Sequence, residues 1–426
     1  RFSYVEQAFF QRWWRQATPA QQATTKQLVA KGQLLFINGG WCMHDEATPH
    51  FVDMVDQTTL GHRMLTEAFG ADAVPQIGWQ IDPFGHSATQ AWLLSAEAGF
   101  DALYFGRIDY QDHDLRYDQS RLEFVWRAGQ SAGASAQVFT GAYWSGNYVP
   151  PPGFCFDQFC GDAPIQDDAR LEDVNVKSRV DQFVTWVQGL AKHTMGDDIM
   201  LMMGSDFQYE NANEWFKNLD KLIKHVNEDG RIKVQYSTPL EYTAAKNAAN
   251  LTWTVKTDDF FPYADNPHAY WTGYFSSRPA LKGYIRKTSA LLQAARQLAA
   301  AAGGDGSSEE RLSEAMGVAQ HHDAVSGTEK QHVAYDYARR LASGTAAAMP
   351  SLVSRIQQQA SLASAPTMCP QLNVSVCAAS QAGKPFVVTV YNALAQSRNE
   401  TLYLPVADSV HSVHVVDGAG TQVDAQ

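Results

Sequence analysis

The amino-acid sequence predicts an α/β barrel-like domain with parallel strands, followed by a three-helix bundle and the start of an antiparallel β domain. From the N-terminus to about Thr238, short β-rich runs alternate with helix-like segments, a pattern typical of buried parallel strands joined by helical crossovers. Between about Ser276 and Leu362 the β-branched runs disappear and Ala, Gln, Leu and Arg dominate, which favours helices packed as a bundle. The predicted domains are 1–265 (an irregular barrel or an open sheet), 266–365 (the three helices) and 366–426 (the start of a β-sandwich).

The strand-like runs of the first domain are each followed by a helix-like segment. In chain order they are FSYVE, LLFINGG, VPQIGWQID, DALYFGRI, AQVFTGA, DIMLMMGSD and IKVQYST. In the second domain, Gly303 to Gly306 and the Ser326-Gly327-Thr328 stretch are expected to interrupt the helices. In the third, PFVVTVYNAL, ETLYLPV and VHSVHVVD alternate like antiparallel strands.

Composition narrows the function classes. The chain has 33 Lys and Arg against 45 Asp and Glu, a formal net charge of −12, which disfavours nucleic acid and anionic membranes as partners. No apolar run approaches the ~20 residues that a membrane-spanning helix needs. The first residues, RFSYVEQAFF, lack the basic start and apolar core of a signal peptide. We therefore expect the chain to begin inside a domain, with its first strand upstream, and to end within the β domain.

The cysteines indicate an oxidising compartment. Cys155 and Cys160 are close in sequence, as are Cys369 and Cys377, and such spacing suits two small local disulfides. Cys42 is left over and is expected to be a free buried thiol, a reactive thiol being the alternative. Three glycosylation sequons agree with this compartment. They are Asn250-Leu-Thr, Asn373-Val-Ser and Asn399-Glu-Thr.

Two aspartates follow strand-like runs. Asp82 comes after the apolar residues of GWQIDPFGHS, and Asp206 closes DIMLMMGSD. Because ligands gather at the carboxyl ends of parallel strands, polar residues there are candidates for chemistry. Two carboxylates on one rim suit glycoside hydrolysis, with one as nucleophile or base and the other as proton donor. Either aspartate alone could instead be a helix cap or a turn residue.

A histidine-rich segment at a predicted helix break is a candidate metal site. In QHHDAVSGTEKQH, His321, His322 and Asp323 are consecutive and His332 follows. Imidazole and carboxylate are common zinc ligands, although a single histidine in a helical domain is usually structural. The spacing does not by itself provide a complete tetrahedral set of ligands.

A second candidate cluster, MHDEATPH, contains His44, Asp45, Glu46 and His50. Its composition suits a metal loop. However, Asp45 and Glu46 also precede a predicted helix, where negative charge is favourable. The sequence favours this capping role.

Aromatic residues stand beside polar residues in several loops. They include Phe84, Tyr148, Tyr263 and the Tyr270-Trp271 pair. Sugar rings present apolar faces and polar edges, so aromatic planes with charged side chains between them suit a sugar pocket. Most aromatic residues of a globular chain nevertheless belong to its core.

Four motifs together resemble one family. GWQIDPFGHS, MMGSDFQYENANEWFKNLD, YWTGYFSSRP and QHHDAVSGTEKQHV are similar to motifs of the class II α-mannosidases, glycoside hydrolase family 38, and are nearer to its lysosomal than to its Golgi members. The resemblance runs from Arg1 to about Thr401. It implies an α/β barrel-like domain, a three-helix bundle and β domains, in agreement with the patterns above.

The resemblance also implies roles for individual residues. Asp82 matches the nucleophile, which also coordinates zinc, and Asp206 matches the general acid/base. His322 matches a zinc ligand, and Asp323 matches a contact to a substrate hydroxyl. The residues that match the mannose pocket are Phe84, Arg107, Tyr148 and Trp271. The implied reaction is zinc-dependent hydrolysis of terminal α-linked mannose from N-glycan oligosaccharides, with retention of configuration.

Retention implies carboxyl groups about 5–5.5 Å apart, rather than the roughly 6.5–9.5 Å of inverting enzymes. The family also has two zinc ligands in a His-x-Asp motif on its first strand, a motif expected from a segment upstream of Arg1. The alternative is a non-catalytic glycan-binding or structural glycoprotein that keeps the mannosidase fold. The implied location is the lysosome or vacuole, with secretion as the alternative.

Overall fold

The computed structural model describes residues 1–369 and 376–425. Its strands are β1 (Phe2–Tyr4), β2 (Leu34–Phe36), β3 (Ile77–Gln80), β4 (Ala102–Phe105), β5 (Glu123–Trp126), β6 (Val138–Ala142), β7 (Val255–Lys256), β8 (Val415–Val416) and β9 (Gln422–Val423). Its α-helices are α1 (Gln7–Trp14), α2 (Pro19–Ala30), α3 (Phe51–Phe69), α4 (Ala88–Ala91), α5 (Tyr110–Asp118), α6 (Val176–Leu190), α7 (Ala212–Asp229), α8 (Pro239–Ala248), α9 (Pro279–Ala301), α10 (Glu310–Ala319) and α11 (Gln331–Gln359). Short 3-10 helices cover Ala71–Ala73, Gly133–Ser135, Ala191–His193, Gly273–Phe275 and Ser307–Glu309, and a π-helical turn covers Trp92–Ala96.

The first part of the chain forms a five-stranded mixed sheet with the strand order β3-β4-β6-β5-β7. The pairs β3–β4, β4–β6 and β5–β7 are parallel, while β5 runs antiparallel to β6. A separate sheet pairs β1 with β2 in parallel. The predicted α/β class with mostly parallel strands is confirmed. The expectation that every strand is parallel is wrong at β5, and closure into a barrel stays a prediction.

The register of β3 and β4 places two loops side by side. Gln80, the last residue of β3, pairs with Phe105, the last residue of β4. All the residues of both strands are buried, so the polar residues that follow them are the first to leave the core. The loops after Gln80 and Phe105 therefore emerge from one edge of the sheet, and they carry Asp82 and Arg107.

Local sequence explains where α8 begins. The Thr238 side chain accepts a hydrogen bond from the Glu241 amide, and the Glu241 carboxylate accepts one from the Thr238 amide. Pro239 occupies the first helical turn, where its missing N–H costs nothing. The same arrangement, with Thr18 and Gln21, begins α2.

Some predicted strands do not form in the described residues. DIMLMMGSD and IKVQYST contain no strand, nor do PFVVTVYNAL and ETLYLPV, while VHSVHVVD contains only β8, which pairs antiparallel with β9. Conversely, β5 and β7 were not predicted. A β-rich run becomes a strand only when a neighbouring strand satisfies its backbone groups, and a sequence pattern does not identify that neighbour.

The helical region follows its predicted breaks. α9 ends at Ala301, before the glycine-rich stretch, and the gap between α10 and α11 contains Ser326-Gly327-Thr328. The chain divides into two compact units, Arg1–Arg286 with Ser313–Arg340, and Lys287–Leu312 with Leu341–Gln426. The packing of the helices as a bundle and the three-domain division stay predictions.

The structure bears on the cysteines and sequons. It joins Cys155 to Cys160 and Cys369 to Cys377, as predicted. Cys42 is free and buried, and burial raises the pKa of its thiol well above the usual value. Asn250 and Asn399 are exposed, whereas Asn373 lies outside the described residues. Among the described helices, none combines the length and apolar character needed to cross a membrane.

Candidate active site

The loop after β3 is shaped around Asp82. Gly85 has φ +92°, and a Cβ atom there would lie 2.6 Å from the Phe261 ring. Only glycine accommodates both the left-handed backbone and this close approach. The Tyr274 hydroxyl donates to the Phe84 carbonyl oxygen at 2.8 Å. These contacts hold the loop beside β3.

Both carboxylate oxygens of Asp82 have cationic or polar partners. Arg107 Nε donates to Oδ1 at 2.7 Å, and a second guanidinium nitrogen also contacts that oxygen. His322 Nε2 lies 2.9 Å from Oδ2. Burial raises the pKa of Asp82, but the hydrogen bond and charge of His322, followed by Arg107, more than offset it, so the pKa falls below its usual value. Asp82 is therefore ionised, as a nucleophile or metal ligand must be.

His322 is oriented by the backbone. Its Nδ1 donates to the Met43 carbonyl oxygen at 2.7 Å, and its own amide donates to the same oxygen at 3.2 Å. Nε2 is thereby directed at Asp82. Burial lowers the pKa of His322, but the hydrogen bond and charge of Asp82 raise it to about 9.

A proton or a metal ion is needed between His322 Nε2 and Asp82 Oδ2, because a neutral imidazole with its hydrogen on Nδ1 would present a lone pair to a carboxylate. An imidazole whose other nitrogen is held by a carbonyl group is the usual arrangement of a histidine zinc ligand. The two side chains therefore fit a zinc ion.

Asp323 and His321, the sequence neighbours of His322, offer further possible metal ligands. His321, His322 and Asp323 each offer a ligand atom within 4.8 Å of the others, and within residues 1–369 and 376–425 no other group of three meets that distance. Asp323 Oδ1 accepts a hydrogen bond from Thr328 Oγ1 at 2.6 Å, and its Oδ2 lies 4.0 Å from His322 Nε2. Because the side chain of Asp323 is 44% exposed, it can contact a ligand as well as a metal.

Arg107 lies at the centre of an aromatic cluster. Its guanidinium carbon is 5.5–6.0 Å from the ring centroids of four side chains, within the range of cation–π attraction. These side chains are Phe84, Tyr148, Tyr263 and Trp271. The aromatic residues that the resemblance assigns to the mannose pocket therefore lie around the arginine that binds Asp82, together with Tyr263, whereas Tyr270 is not one of these rings.

Asp206 occupies a turn rather than the end of a strand. It is exposed, and the Tyr148 hydroxyl donates to its Oδ1 at 3.1 Å. Burial, followed by the charges of Asp82 and Asp206, raises the pKa of Tyr148, so the phenol stays protonated and can donate. Asp206 is thus linked through Tyr148 to the Arg107 cluster. The 5–5.5 Å separation of its carboxyl group from that of Asp82 stays a prediction.

Comparison with known families identifies the fold. A family model described as "Glycosyl hydrolases family 38 N-terminal domain" matches residues 1–266, and one described as "Alpha mannosidase middle domain" matches residues 269–358. The chain belongs to glycosyl hydrolase family 38. The resemblance read from the four motifs is confirmed.

Relatives of the family 38 chain include eukaryotic and bacterial proteins. Lysosomal alpha-mannosidase of Homo sapiens is 48% identical over 431 residues, covering 98% of this chain and 42% of the relative. Alpha-mannosidase of Canavalia ensiformis is 47% identical over 441 residues, covering 100% of this chain and 44% of the relative. The crystal structure of an alpha-mannosidase from Enterococcus faecalis matches with a TM-score of 0.60 at 15% identity, covering 80% of this chain and 36% of that one, which supports the shared fold. The chain thus spans less than half the length of the relatives it matches.

The second histidine-rich cluster has a different role in this family 38 chain. Asp45 Oδ2 accepts hydrogen bonds from the Thr48 amide and hydroxyl at 2.9 and 2.6 Å, which closes a turn. His50, rather than an acidic residue, caps α3. The sequence singled out Glu46 but missed its role. Glu46 accepts hydrogen bonds from His86 Nδ1 at 2.8 Å and from the Ser87 amide at 2.7 Å.

Glu46 therefore clamps the loop that carries Asp82. A third donor, Gln80 Nε2, approaches it at 3.2 Å from the other end of the loop. Glu46 lies 34 to 41 residues before its hydrogen-bond partners in the sequence, so no local sequence pattern reveals this role. The only indication in the sequence is that this acidic residue, fully buried here, follows His44 and Asp45 in a segment whose composition suits a metal loop.

Glu46→Ala is expected to lower the free energy of unfolding by roughly 3 kcal/mol or more, because it leaves several buried donors without an acceptor. The measurement is the denaturant midpoint of the purified protein. Glu67→Ala is the matched control, since its side chain is 71% exposed and lies 3.7 Å from Arg63, a surface pair worth below about 1 kcal/mol. Equal losses in both variants would contradict the clamp.

Proposed function

We propose that this chain carries the catalytic residues of a retaining, zinc-dependent exo-α-mannosidase that removes terminal α-linked mannose from N-glycan oligosaccharides. The observation that supports this most is the pairing of Asp82 with both Arg107 and His322, beside an aromatic cluster suited to a sugar ring. The relatives named alpha-mannosidase support the same substrate class.

Asp82 is the proposed nucleophile. It is ionised, and the clamped loop holds its carboxylate towards the pocket. Attack on the anomeric carbon breaks the glycosidic bond with inversion and forms an ester between mannose and Asp82. Water then attacks that carbon from the face that the leaving group vacated and displaces Asp82 with a second inversion, so configuration is retained. Arg107 holds Oδ1 and limits rotation of the carboxylate, which keeps the reacting atoms aligned.

Asp206 is the proposed general acid and base. It protonates the leaving oxygen as the bond to Asp82 forms, and it takes a proton from the attacking water in the second step. The Tyr148 hydroxyl bonds to Oδ1, which leaves Oδ2 to carry the transferred proton. Tyr148 thus orients the acid with respect to the Arg107 cluster.

His322 and Asp82 are the proposed zinc ligands on this chain, and Asp323 is a proposed contact to a substrate hydroxyl. Zinc is a Lewis acid that, when bound, would hold ring hydroxyls and favour a distorted sugar. The pairing of an imidazole nitrogen with a carboxylate oxygen at 2.9 Å supports a cation site. Two protein ligands are fewer than the three or more that a catalytic zinc site generally has.

We propose that the remaining ligands, a His and an Asp in a His-x-Asp motif, come from a segment upstream of Arg1. An open position in the fold supports this proposal. Among the described residues, no backbone hydrogen bond joins 199–203 to a neighbouring strand, although its Met200 and Met202 pack in one core with Val5, which follows β1. A strand between β1 and this segment would satisfy both edges.

The deciding experiment expresses residues 1–426 with and without the upstream segment and measures bound zinc by elemental analysis and hydrolysis of an α-mannoside. Zinc and activity are expected only in the longer protein, and its variant with both motif residues changed to Ala should lose zinc. Full activity in the shorter protein would contradict the proposal that an upstream segment supplies zinc ligands. If the longer protein neither bound zinc nor released mannose, the non-catalytic glycan-binding alternative would be favoured.

The lysosome or vacuole is the proposed location, with secretion as the alternative. Two disulfides suit an oxidising compartment, and the relatives named lysosomal alpha-mannosidase support an acidic one.

A further inference from the structure

Two phenylalanines, one of them next to the proposed acid in the chain, are exposed. Phe207 follows Asp206 directly and is 78% exposed, and Phe159 is 62% exposed. Large apolar side chains so exposed contribute little to folding, and exposed apolar patches near a site often mark a binding surface.

One buried carboxylate joins the loop of Phe159 to the turn that carries Phe207. Asp157 Oδ1 accepts a hydrogen bond from the Phe159 amide at 3.3 Å, and its Oδ2 accepts from the Tyr209 amide at 3.1 Å. Trp215 Nε1 donates to the same oxygen at 2.9 Å. The loop of the Cys155–Cys160 disulfide and the turn after Asp206 are therefore held as one unit.

The backbone of this turn is held in an uncommon conformation. Phe207 has φ +60° and Tyr209 has φ +66°, values that carry a conformational cost for a residue other than glycine. Tyr209 recovers part of that cost by stacking on Trp215, with ring centroids 5.2 Å apart. Phe207, at 78% exposure, recovers almost none, which suggests that its position serves a ligand.

We propose that Phe207 is the platform on which the sugar that leaves during hydrolysis stacks, with Phe159 on the loop that is joined to its turn. The inference rests on the proposed function, because it needs Asp206 to protonate the glycosidic oxygen. That oxygen must lie within hydrogen-bond reach of Asp206, so the leaving ring lies within reach of the next residue along the chain. Asp206 binds the mannose side of the site through Tyr148, which leaves the Phe207 side for the departing sugar.

The platform gives Phe207 a role in specificity towards the group released. A sugar leaving group presents an apolar C–H face that an aromatic ring can cover. Methanol, released from methyl α-mannoside, is too small to reach Phe207 but needs protonation by Asp206 as a leaving sugar does. The two leaving groups therefore separate stacking by Phe207 from any general effect of the substitution on Asp206.

The test compares Phe207→Ala with the wild type on α-linked mannobiose and on methyl α-mannoside, using the protein that includes the upstream segment. We expect kcat/KM for mannobiose to fall roughly tenfold, the scale of one aromatic stacking contact, while kcat/KM for methyl α-mannoside is unchanged. Phe207→Tyr should restore most of the loss. Phe9→Ala is the matched control, because Phe9 is also 62% exposed and lies on α1, and it should alter neither substrate.

Equal losses on both substrates, or no loss on either, would overturn the platform while leaving the mannosidase assignment intact. Wild-type protein that hydrolyses neither substrate would overturn the proposed function and, with it, this inference.

Discussion

Asp82→Ala is expected to abolish hydrolysis of every α-mannoside, with a fall in kcat of about 10⁴-fold or more, as for other enzymes that lose a nucleophile. No other carboxylate in the described residues is bonded to both Arg107 and His322, so no neighbour can take over the attack. The measurement is kcat on an activated aryl mannoside and on an unactivated disaccharide. Both should be lost together, because both need the ester to form.

Asp72→Ala is the control for this experiment, since Asp72 is exposed on a 3-10 turn, and it should retain full activity. Thermal unfolding should show that Asp82→Ala is folded. Activity of Asp82→Ala within tenfold of the wild type on either substrate would exclude Asp82 as the nucleophile.

Asp206→Ala is expected to slow hydrolysis of the unactivated disaccharide by about 10²–10⁴-fold, the usual contribution of general acid and base catalysis. An activated aryl leaving group departs without protonation, so its release to form the ester should be nearly spared. The measurement is kcat/KM across leaving groups of decreasing pKa, since that parameter reports the first irreversible step.

The expected result for Asp206→Ala is a kcat/KM that depends steeply on the pKa of the leaving group, whereas the wild type depends on it weakly. Asp220→Ala, which removes the surface carboxylate bonded to Tyr236 at 2.9 Å, is the matched control and should leave that dependence unchanged. If Asp206→Ala lost activity equally on both classes of substrate, the acid role assigned to it would be wrong.

The sequence predicted the position of Asp82, the proposed nucleophile, at the edge of the sheet because its signals are local. Asp82 follows four buried residues of β3, and alternation of strands and helices is enough to place it at the edge of the sheet. Asp206 was identified although the strand expected before it does not form. Its neighbours have the β-rich composition of a strand, but strand formation depends on a partner elsewhere in space.

Other parts of the site depend on contacts that no local pattern reveals. Glu46 binds a loop 40 residues away. Glu6, which follows β1, accepts a hydrogen bond from the Met43 amide at 2.8 Å, and its carboxylate lies 3.7 Å from His321 Nε2. Burial raises the pKa of Glu6, so its charge state depends on the packing around it. β7 has two residues, too few for periodicity to detect. In each case the determining partner is distant in sequence.

The unequal burial of the two carboxylates means that dissolved salt reaches them differently. Asp82 is 22% exposed and is bonded to cations on both oxygens, and such partly buried pairs are weakly screened by mobile ions. Asp206 is exposed on its turn, where a Debye length of about 8 Å at physiological ionic strength lets counter-ions weaken its long-range interactions. A change in ionic strength should therefore alter proton transfer by Asp206 and leave nucleophilic attack by Asp82 nearly unaffected.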